Sequence, residues 1–279
     1  MSVVQEIAKV VSNEPVTDGL LVIRLHSPEI ARQCQPAQFV HVRCGDGIDP
    51  LLLRPFSMLT VDRAAGTLDI LYQVVGHGTE ILKNRRPGEK ILQLGPLGKT
   101  FSTPPNPGNL LMVGGGIGIA PLVFLAETMI PRGYTVTLLA GARTAARHLP
   151  AVFVPPEVEY VLATDDGSAG YHGPVTDLIA DYYLWSDAVY ICGPWPMLTS
   201  IDAAYQARSW GWHSKKPIQV SLENQMGCAM GVCLGCVVTT PRGYQRVCRD
   251  GPVFALSELH QEIASRPGHA SQSSHSVGP

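Results

Sequence analysis

Four cysteines near the C-terminal end constrain the fold of this chain more than any other feature. Cys228, Cys233 and Cys236 follow the spacing C-x4-C-x2-C, and Cys248 comes after a gap of eleven residues. This is the spacing of a plant-type [2Fe–2S] site, in which four thiolates hold the cluster. One short loop and one return strand must therefore bring these four side chains together.

Glycines lie beside the cysteines, at Gly227, Gly231 and Gly235. Because glycine takes positive φ at little cost, we expect these residues to turn the loop. The turn would leave backbone N–H groups free to point at sulfur. Such hydrogen bonds help to set the reduction potential of an iron–sulfur cluster.

Two other uses of the cysteines remain open at this point. A structural zinc site also takes four cysteines, but usually as two C-x2-C pairs, and the sequence has one such pair. Disulfides are the second alternative. The chain has 7 cysteines, an odd number, and its first residues lack the basic and long apolar segments of an export signal. A reduced, cytoplasmic setting is therefore favoured.

The composition predicts a globular protein with room for two domains. The chain has 279 residues, of which 45% are hydrophobic and 16% charged, and its net charge is -2. Without a basic block it is a poor partner for nucleic acid. Residues 109–130 are apolar over a membrane-spanning length, but glycines and Pro121 interrupt them. We expect a strand, a turn and a helix there instead of a membrane span.

The first domain, residues 1–103, is expected to be a small antiparallel β-barrel that binds FAD. Short strand-like runs with Gly and Pro punctuation are typical of such barrels. The predicted elements are strands at 20–25 and 38–43, a hairpin of 56–62 with 67–73, and a helix at 78–84.

A proline-rich linker at 104–109 opens the second domain, residues 104–222. Apolar strands alternate there with helical stretches, which predicts a doubly wound α/β domain around a parallel sheet. The strands are expected at 110–113, 134–140, 159–163, 187–192 and 217–222.

A small iron–sulfur module, residues 223–258, is expected to follow. Runs at 237–240 and 244–247 flank a Pro-Arg-Gly turn and predict a hairpin that carries Cys248 back to the other cysteines. The remaining residues, 259–279, are expected to form a disordered tail because the sequence there becomes polar and small.

The segment GGGIGIAP, residues 114–121, lies between the first strand and the first helix of the second domain. Glycines at this place let the backbone approach a pyrophosphate group, and the helix N-terminus favours its charge. A tight turn without a ligand is the alternative. Cys192 and Gly193 follow the fourth strand and end at the same crevice. Cys192 faces a nicotinamide ring there or is simply a small buried residue.

In the first domain, the run Arg54-Pro55-Phe56-Ser57 offers a guanidinium, a ring and a hydroxyl in a row. A flavin nucleotide needs such groups for its phosphates and its ring. Residues 76–79, Gly-His-Gly-Thr, begin the predicted helix and could hold a diphosphate. An ordinary strand start and an ordinary turn are the alternatives. His77 reads as a turn residue, and His148 and His172 are expected at the surface.

Taken in order, these motifs resemble the ferredoxin–NADP reductase superfamily. Within it, the chain is similar to the electron-transfer subunits of NAD-dependent dihydroorotate dehydrogenases. Two places depart from the usual pattern: Ala37 and Ala229 stand where glycine is common. The residues that carry the resemblance are 54–57, 76–79, 95–98 (Gly-Pro-Leu-Gly), 114–121, 192–197 (Cys-Gly-Pro-Trp-Pro-Met), 221–223 (Ser-Leu-Glu), Met226 and the four cysteines.

The resemblance implies FAD, NAD and a [2Fe–2S] cluster, with no acid–base residue supplied by this chain. Its cluster ligands would be Cys228, Cys233, Cys236 and Cys248. The other implied cofactor-binding residues are Arg54, Pro55, Phe56, Ser57, Tyr72, Gly76, Gly78 and Thr79 for FAD, and Gly116, Gly118, Cys192 and Gly193 for NAD.

The resemblance also implies a partner, an FMN-containing subunit that oxidises dihydroorotate to orotate in pyrimidine biosynthesis, within a heterotetramer. Sulfide dehydrogenase and ferredoxin-linked NADP reductase subunits share the layout and remain alternatives, as does a zinc-holding binding subunit. The dinucleotide is also open. No acidic residue follows Ala140 in Gly-Ala-Arg-Thr, and Arg143 or Arg147 could meet a 2′-phosphate, whereas the family favours NAD.

Overall fold

The N-terminal part of the chain forms a closed antiparallel barrel of six strands, in the order β1-β2-β5-β4-β3-β6. The structure is a computed structural model that describes residues 2–211 and 216–266. The predicted hairpin is β4 with β5, and the predicted helix is α2, shifted by one residue. The elements are β1 (Val4–Thr17), β2 (Leu20–His26), α1 (Pro28–Gln33), β3 (Phe39–Val42), β4 (Arg54–Asp62), β5 (Thr67–Gln73), α2 (His77–Lys83) and β6 (Lys90–Leu97).

A seven-stranded sheet follows, in the order β10-β9-β8-β7-β11-β12-β15. Six strands are parallel, and β15 joins the edge antiparallel to β12. The elements are β7 (Asn109–Gly115), α3 (Ala120–Met129), β8 (Thr135–Ala142), β9 (Glu159–Thr164), β10 (Tyr171–His172), α4 (Ile179–Tyr183), β11 (Ala188–Cys192), α5 (Trp195–Gln206), β12 (Ile218–Ser221), β13 (Val237–Thr240), β14 (Gly243–Arg246), α6 (Val247–Asp250), β15 (Val253–Ala255) and α7 (Leu256–Ser265).

The apolar strands are buried because helices cover both faces of the sheet. Along β7, Leu110 and Met112 pack into the core on the α3 face, whereas Leu111 and Val113 pack into the core on the α5 and α7 face. Alternate residues of a strand point to opposite faces, so a strand covered on both sides is apolar throughout. The fold class predicted from the sequence, a barrel followed by a doubly wound α/β sheet and a small cysteine module, is confirmed.

The apolar stretch at 109–130 consists of β7, a glycine turn and α3. Eight of the ten residues of α3 are buried, because the helix packs against the sheet on one side and against β4 of the barrel on the other. Phe124 belongs to the barrel core, while Val123 belongs to the sheet core. None of the helices described here has the length and apolar character that a membrane span requires.

The C-terminal residues correct one prediction. Residues 259–265, expected in a disordered tail, belong to α7; residues 267–279 lie outside the described residues. The helix forms because Leu256, Leu259 and Ile263 share one apolar face, which packs on β13 and α5. The Glu262 carboxylate accepts a hydrogen bond from the Thr239 N–H at 2.8 Å and anchors the helix further.

Side chains of the sheet join it to the barrel through the backbone of Ser102. The Gln219 amide on β12 donates to the Ser102 carbonyl at 2.6 Å and accepts from the Ser102 N–H at 2.9 Å. The Tyr190 hydroxyl on β11 donates to the same carbonyl at 3.0 Å. The barrel is therefore held against β11 and β12, and a cavity lies between the barrel and the sheet.

The first prediction concerns Tyr72, which is 1% exposed on β5. Its hydroxyl donates to Asn13 Oδ1 at 2.8 Å, and the Asn13 amide in turn bonds the last carbonyls of α2, including that of Leu82 at 2.8 Å. Tyr72→Phe removes one hydrogen bond of this network. We expect the free energy of unfolding in urea to fall by about 1 kcal/mol, with flavin content unchanged. A variant that loses its flavin while keeping its stability would assign Tyr72 to the cofactor instead.

Candidate functional site

The four cysteines meet at one end of the molecule. Cys228, Cys233 and Cys236 lie on the loop between β12 and β13, and Cys248 lies on α6 rather than on a return strand. The sulfur of Cys228 lies beside that of Cys233, and the sulfur of Cys236 beside that of Cys248. The hairpin of β13 and β14 spans the gap between Cys236 and Cys248, as the sequence predicts.

Backbone N–H groups point at three of these sulfurs. Cys233 Sγ accepts a hydrogen bond from the Gly235 N–H at 3.5 Å. Cys228 Sγ accepts hydrogen bonds from the N–H groups of Met230, Val232 and Cys233, each at 3.4 Å. Cys236 Sγ accepts from the N–H of Cys248 at 3.4 Å. Although burial raises the pKa of the Cys228 thiol, its three donors lower it to about 6, so this side chain is held as a thiolate near neutral pH.

Cys248 has the opposite environment. Burial, followed by the neighbouring Cys236, raises the pKa of its thiol to about 12. Two anions cannot stay side by side in a buried place unless a cation joins them. The pair therefore needs a metal centre for both members to be thiolates.

The arrangement of the four sulfurs fits a two-iron cluster. The sulfurs form two pairs, Cys228 with Cys233 and Cys236 with Cys248. A [2Fe–2S] cluster takes four cysteine ligands in all, two for each iron atom.

The glycines of the loop act differently from expectation. Gly231 has positive φ (80°), but Gly227 and Gly235 do not; Ala229 (54°) and Leu234 (59°) take left-handed conformations instead. Gly227 serves close packing, because a Cβ there would lie 3.3 Å from Cys233 Sγ, whereas a Cβ on Gly235 would make an ordinary contact with the same sulfur at 3.6 Å.

Arg246 on β14 fastens the loop to the helix that carries Cys248. Its guanidinium donates to the Gly231 carbonyl at 3.2 Å and to Asp250 Oδ2 at 2.8 Å. The hydrogen bond from Arg246 lowers the pKa of the Asp250 carboxyl to about 2, so the ion pair persists over the working pH range.

A first cavity, of about 220 Å³, lies between the barrel and the sheet. Pro55, Phe56 and Ser57 of β4 line it from the barrel side, and Cys192 lines it from the sheet side. Its size suits a ring system and not a whole dinucleotide. The cavity therefore fits the ring end of a flavin.

The other predicted flavin residues gather at the start of α2. A Cβ on Gly78 would lie 3.2 Å from Nε of Arg54, so the guanidinium lies directly over the helix. The Thr79 hydroxyl accepts the N–H of Gly76 at 3.2 Å and donates to its carbonyl at 2.9 Å. This hydroxyl forms its hydrogen bonds within the turn. Arg54 supplies a cationic group beside the start of the helix.

Tyr72 is placed differently from the expectation. Its side chain is buried in the barrel core and its ring lies 6.1 Å from that of Phe56, edge to face. Its neighbours Leu71 and Gln73 line the cavities instead, because alternate residues of a strand face opposite sides. Tyr72 thus supports the ring of Phe56 from behind.

A second cavity, of about 630 Å³, opens at the carboxyl ends of the parallel strands. The chain reverses its direction of travel across the sheet between β7 and β11, and a doubly wound sheet binds its ligand at such a point. Gly116 lines the cavity, together with Gly141, Thr176 and Pro194. The cavity lies where residues 114–121 predict a dinucleotide cleft.

Gly118 and Gly193 allow two turns to cross beneath this cleft. A Cβ on Gly118 would lie 2.5 Å from the Cys192 carbonyl oxygen, and one on Gly193 would lie 2.4 Å from Cε of Met197. Neither glycine lines the second cavity, so both act by letting the backbones of β7 and β11 meet.

Cys192 is both a buried residue and a wall of the first cavity. It is 2% exposed, and burial, with the nearby Glu223 carboxyl, raises the pKa of its thiol well above the usual value. The thiol therefore stays protonated and uncharged.

Glu223 is a candidate functional residue that sequence reasoning did not assign. It lies just after β12 and lines both cavities. Solvent reaches it through the open cleft, yet protein atoms surround its other sides, and this partial burial raises the pKa of its carboxyl. Its position after the carboxyl end of a parallel strand was the available signal.

Two histidines complete the description. His77 is the first residue of α2, and its Nε2 lies 3.3 Å from the carboxylate of Asp49. Both side chains are exposed. His148 was expected at the surface, and this prediction is wrong: its Nε2 lies 3.1 Å from the Ala163 carbonyl in a buried position. Burial lowers the pKa of His148, so it is neutral.

The second prediction compares two glycines of the turn after β7. Gly118→Ala should lower the melting temperature and abolish dinucleotide binding, because its Cβ would overlap the Cys192 carbonyl. Gly116→Ala should still fold, since no atom lies within 4 Å of that Cβ and its φ of 56° costs an alanine only about 1 kcal/mol. Thermal melting and NADH titration measure both. Equal melting temperatures would contradict the crossing described here.

Comparisons with known proteins agree with this geometry. The model of the family described as the iron–sulfur cluster binding domain of dihydroorotate dehydrogenase B matches residues 223–260. Among solved structures, the chain is similar to the NADH-dependent reduced ferredoxin–NADP oxidoreductase, with a TM-score of 0.79, 30% identity and 94% of each chain covered.

Two curated relatives match nearly the whole chain. The "Dihydroorotate dehydrogenase B (NAD(+)), electron transfer subunit" of Geobacillus thermodenitrificans is 39% identical over 259 residues, which is 90% of this chain and 96% of the relative. The same subunit of Desulforamulus reducens is 40% identical over 254 residues, 88% and 95% of the two chains. The chain therefore belongs to the family of electron transfer subunits of NAD(+)-dependent dihydroorotate dehydrogenase B.

Proposed function

We propose that this chain carries electrons between NAD(H) and a partner subunit, with FAD on residues 1–103, the dinucleotide on 104–222 and a [2Fe–2S] cluster on 223–258. One observation carries the proposal. The segment after β12 touches every site: Glu223 lines both cavities, Met226 lines the first, and Cys228 follows two residues later. Two residues span at most about 7 Å, so the cysteine loop begins at the wall of the flavin cavity.

FAD, when bound, supplies the exchange between the electron pair of a hydride and single electrons. The residues of the first cavity would hold the flavin ring, and the nicotinamide would reach it from the second cavity, since Glu223 lines both. Phe56 and Leu71 line it with apolar surface that suits a flat ring and excludes water. Glu223 lies at the junction with the second cavity, where its carboxylate accepts a hydrogen bond from the carboxamide of the nicotinamide and orients it. The Ser57 hydroxyl is available to hydrogen-bond the flavin.

The corner at the start of α2 receives the flavin diphosphate. The Arg54 guanidinium is fixed by the Leu52 carbonyl at 2.7 Å and keeps further N–H groups for phosphate oxygens. The backbone of Gly76, Gly78 and Thr79 lies beside it. The second cavity receives the dinucleotide, with Gly116 against its phosphates.

The partner binds at the cysteine loop. Cys233 is exposed, and exposed apolar side chains surround it: Met230, Leu234, Val232 (78% exposed) and Tyr244 (79% exposed). Exposed apolar groups around a redox centre suit a protein interface. We propose the FMN-containing subunit that oxidises dihydroorotate as this partner, in a heterotetramer. Thiolates that hold iron also suit the reducing cytoplasm.

A second candidate rests on the 30% identity to the ferredoxin–NADP oxidoreductase. In that case the partner is a ferredoxin-linked subunit and dihydroorotate plays no part. Co-purification with the native partner, followed by assay with dihydroorotate and NAD(+), separates the two. Reduction of NAD(+) by dihydroorotate in the complex supports the first candidate, and its absence supports the second.

The third prediction tests the relay. Cys233→Ser removes one thiolate of the exposed pair, so NADH should still bleach the flavin at the wild-type rate while electron transfer to the partner falls to background. Anaerobic visible spectra and partner reduction measure the two steps. Cys34→Ser, a change at a buried thiol of the barrel, should leave both intact. Undiminished transfer to the partner in Cys233→Ser would refute the cluster path.

The fourth prediction concerns Glu223. Glu223→Gln keeps the shape of the side chain but removes its charge, which weakens a hydrogen bond to the carboxamide. We expect flavin reduction by NADH, followed by stopped-flow absorbance, to slow by about tenfold. Glu157→Gln, at an exposed position far from both cavities, is the matched control. Equal rates for the two variants would remove Glu223 from the reaction.

A further inference from the structure

The far end of the dinucleotide cleft holds two arginines that the proposed function leaves unused. Arg143 follows β8 directly, and Arg147 ends the short helix Ala145–Arg147; both line the second cavity. Both side chains are exposed to the cleft. In the part of the chain that the structure describes, no carboxylate forms an ion pair with either guanidinium, so both can take a ligand anion.

Hydrogen bonds fix the backbone of the loop that carries the two arginines. The Ala145 N–H donates to the Ser168 hydroxyl at 2.7 Å, which also donates to Asp166 Oδ1 at 2.6 Å. The Asp165 N–H donates to the Ala142 carbonyl at 3.1 Å, and the Arg147 N–H to the Thr144 carbonyl at 3.0 Å. The guanidinium groups thus start from a fixed backbone, which limits the entropy lost on binding.

Asp165 lines the same end of the cavity and provides a carboxylate after β9. An acidic residue at this end of a doubly wound sheet accepts a hydrogen bond from a ribose 2′-hydroxyl, whereas an arginine there takes a 2′-phosphate. This cleft offers both groups. Asp166 is also on this loop, but its carboxylate accepts hydrogen bonds from Ser168, whereas both guanidiniums line the cavity and can donate to a phosphate dianion.

We propose that this end of the cleft is a 2′-phosphate subsite, so that the chain takes NADP(H) as well as NAD(H), with Arg143 and Arg147 as the specificity residues. The inference rests on the proposed function, since it extends the dinucleotide assigned to the same cleft. Arg143 and Arg147 act on the 2′-phosphate only, and the ring end of the cleft is the same for both dinucleotides.

Binding of small fragments tests the subsite without any turnover. The probes are 2′,5′-ADP and 5′-AMP, which differ by one 2′-phosphate, titrated calorimetrically into the holoprotein. We expect 2′,5′-ADP to bind more tightly by roughly 10- to 100-fold, and Arg143→Ala/Arg147→Ala to abolish that difference. Arg132→Ala, an exposed arginine outside the cleft, should keep it. Equal affinities in the wild-type protein, or a preference that survives the double variant, would overturn the proposal.

Flavin reduction separates this proposal from the proposed function. In the wild-type protein, NADH and NADPH should both bleach the flavin, and the double variant should lose roughly 10- to 100-fold more efficiency with NADPH than with NADH. Bleaching by NADH alone would reject the subsite and keep the reductase. Bleaching by neither dinucleotide would reject the reductase, and the fragment titration would then decide the subsite by itself.

Discussion

The path of one short segment, residues 221–226, fixes where each site lies. It leaves β12 at the carboxyl edge of the sheet, passes both cavities and ends at the cysteine loop. The Leu222 N–H donates to the Pro252 carbonyl at 2.9 Å, and β15 pairs with β12. The chain beyond the cysteines therefore returns to hold the segment that precedes them. Any shift of this segment would move the cavity wall and the cysteine loop together.

The end of the barrel packs directly against the chain that returns from the cysteines, and a glycine at position 98 allows this close contact. A Cβ on Gly98 would lie 2.5 Å from Cδ of Pro252, and the Lys99 N–H donates to the Gly251 carbonyl at 2.7 Å. The end of β6 therefore touches the strand that returns from the cysteines. Because Pro252 also lines the first cavity, this cavity is closed by residues from all three parts of the chain. It forms only when the whole chain has folded.

Elements that depend on local sequence could be predicted, whereas elements that depend on contacts between distant segments could not. The parallel strands of the sheet were predictable to within two residues at most ends, because strands covered on both faces are apolar throughout. The strand order and β15 depend on pairing between distant segments, which local pattern does not encode. Leu256, Leu259 and Ile263 are spaced as the apolar face of a helix and could have predicted α7. The polar residues that follow led instead to the prediction of a disordered tail. The orientation of Tyr72 depended on strand phase within the barrel, which residue type alone does not fix.

At the cysteine loop, residue type predicted that the four cysteines meet but not the conformation of the backbone. Ala229 and Ala37, which stand where glycine is common, both have positive φ, 54° and 72°. A left-handed alanine costs about 1 kcal/mol, so other interactions must compensate for this cost. In the loop, three N–H groups converge on Cys228 and Arg246 binds the Gly231 carbonyl. The demand of a sulfur anion for donors, more than the freedom of glycine, therefore sets the shape of the loop.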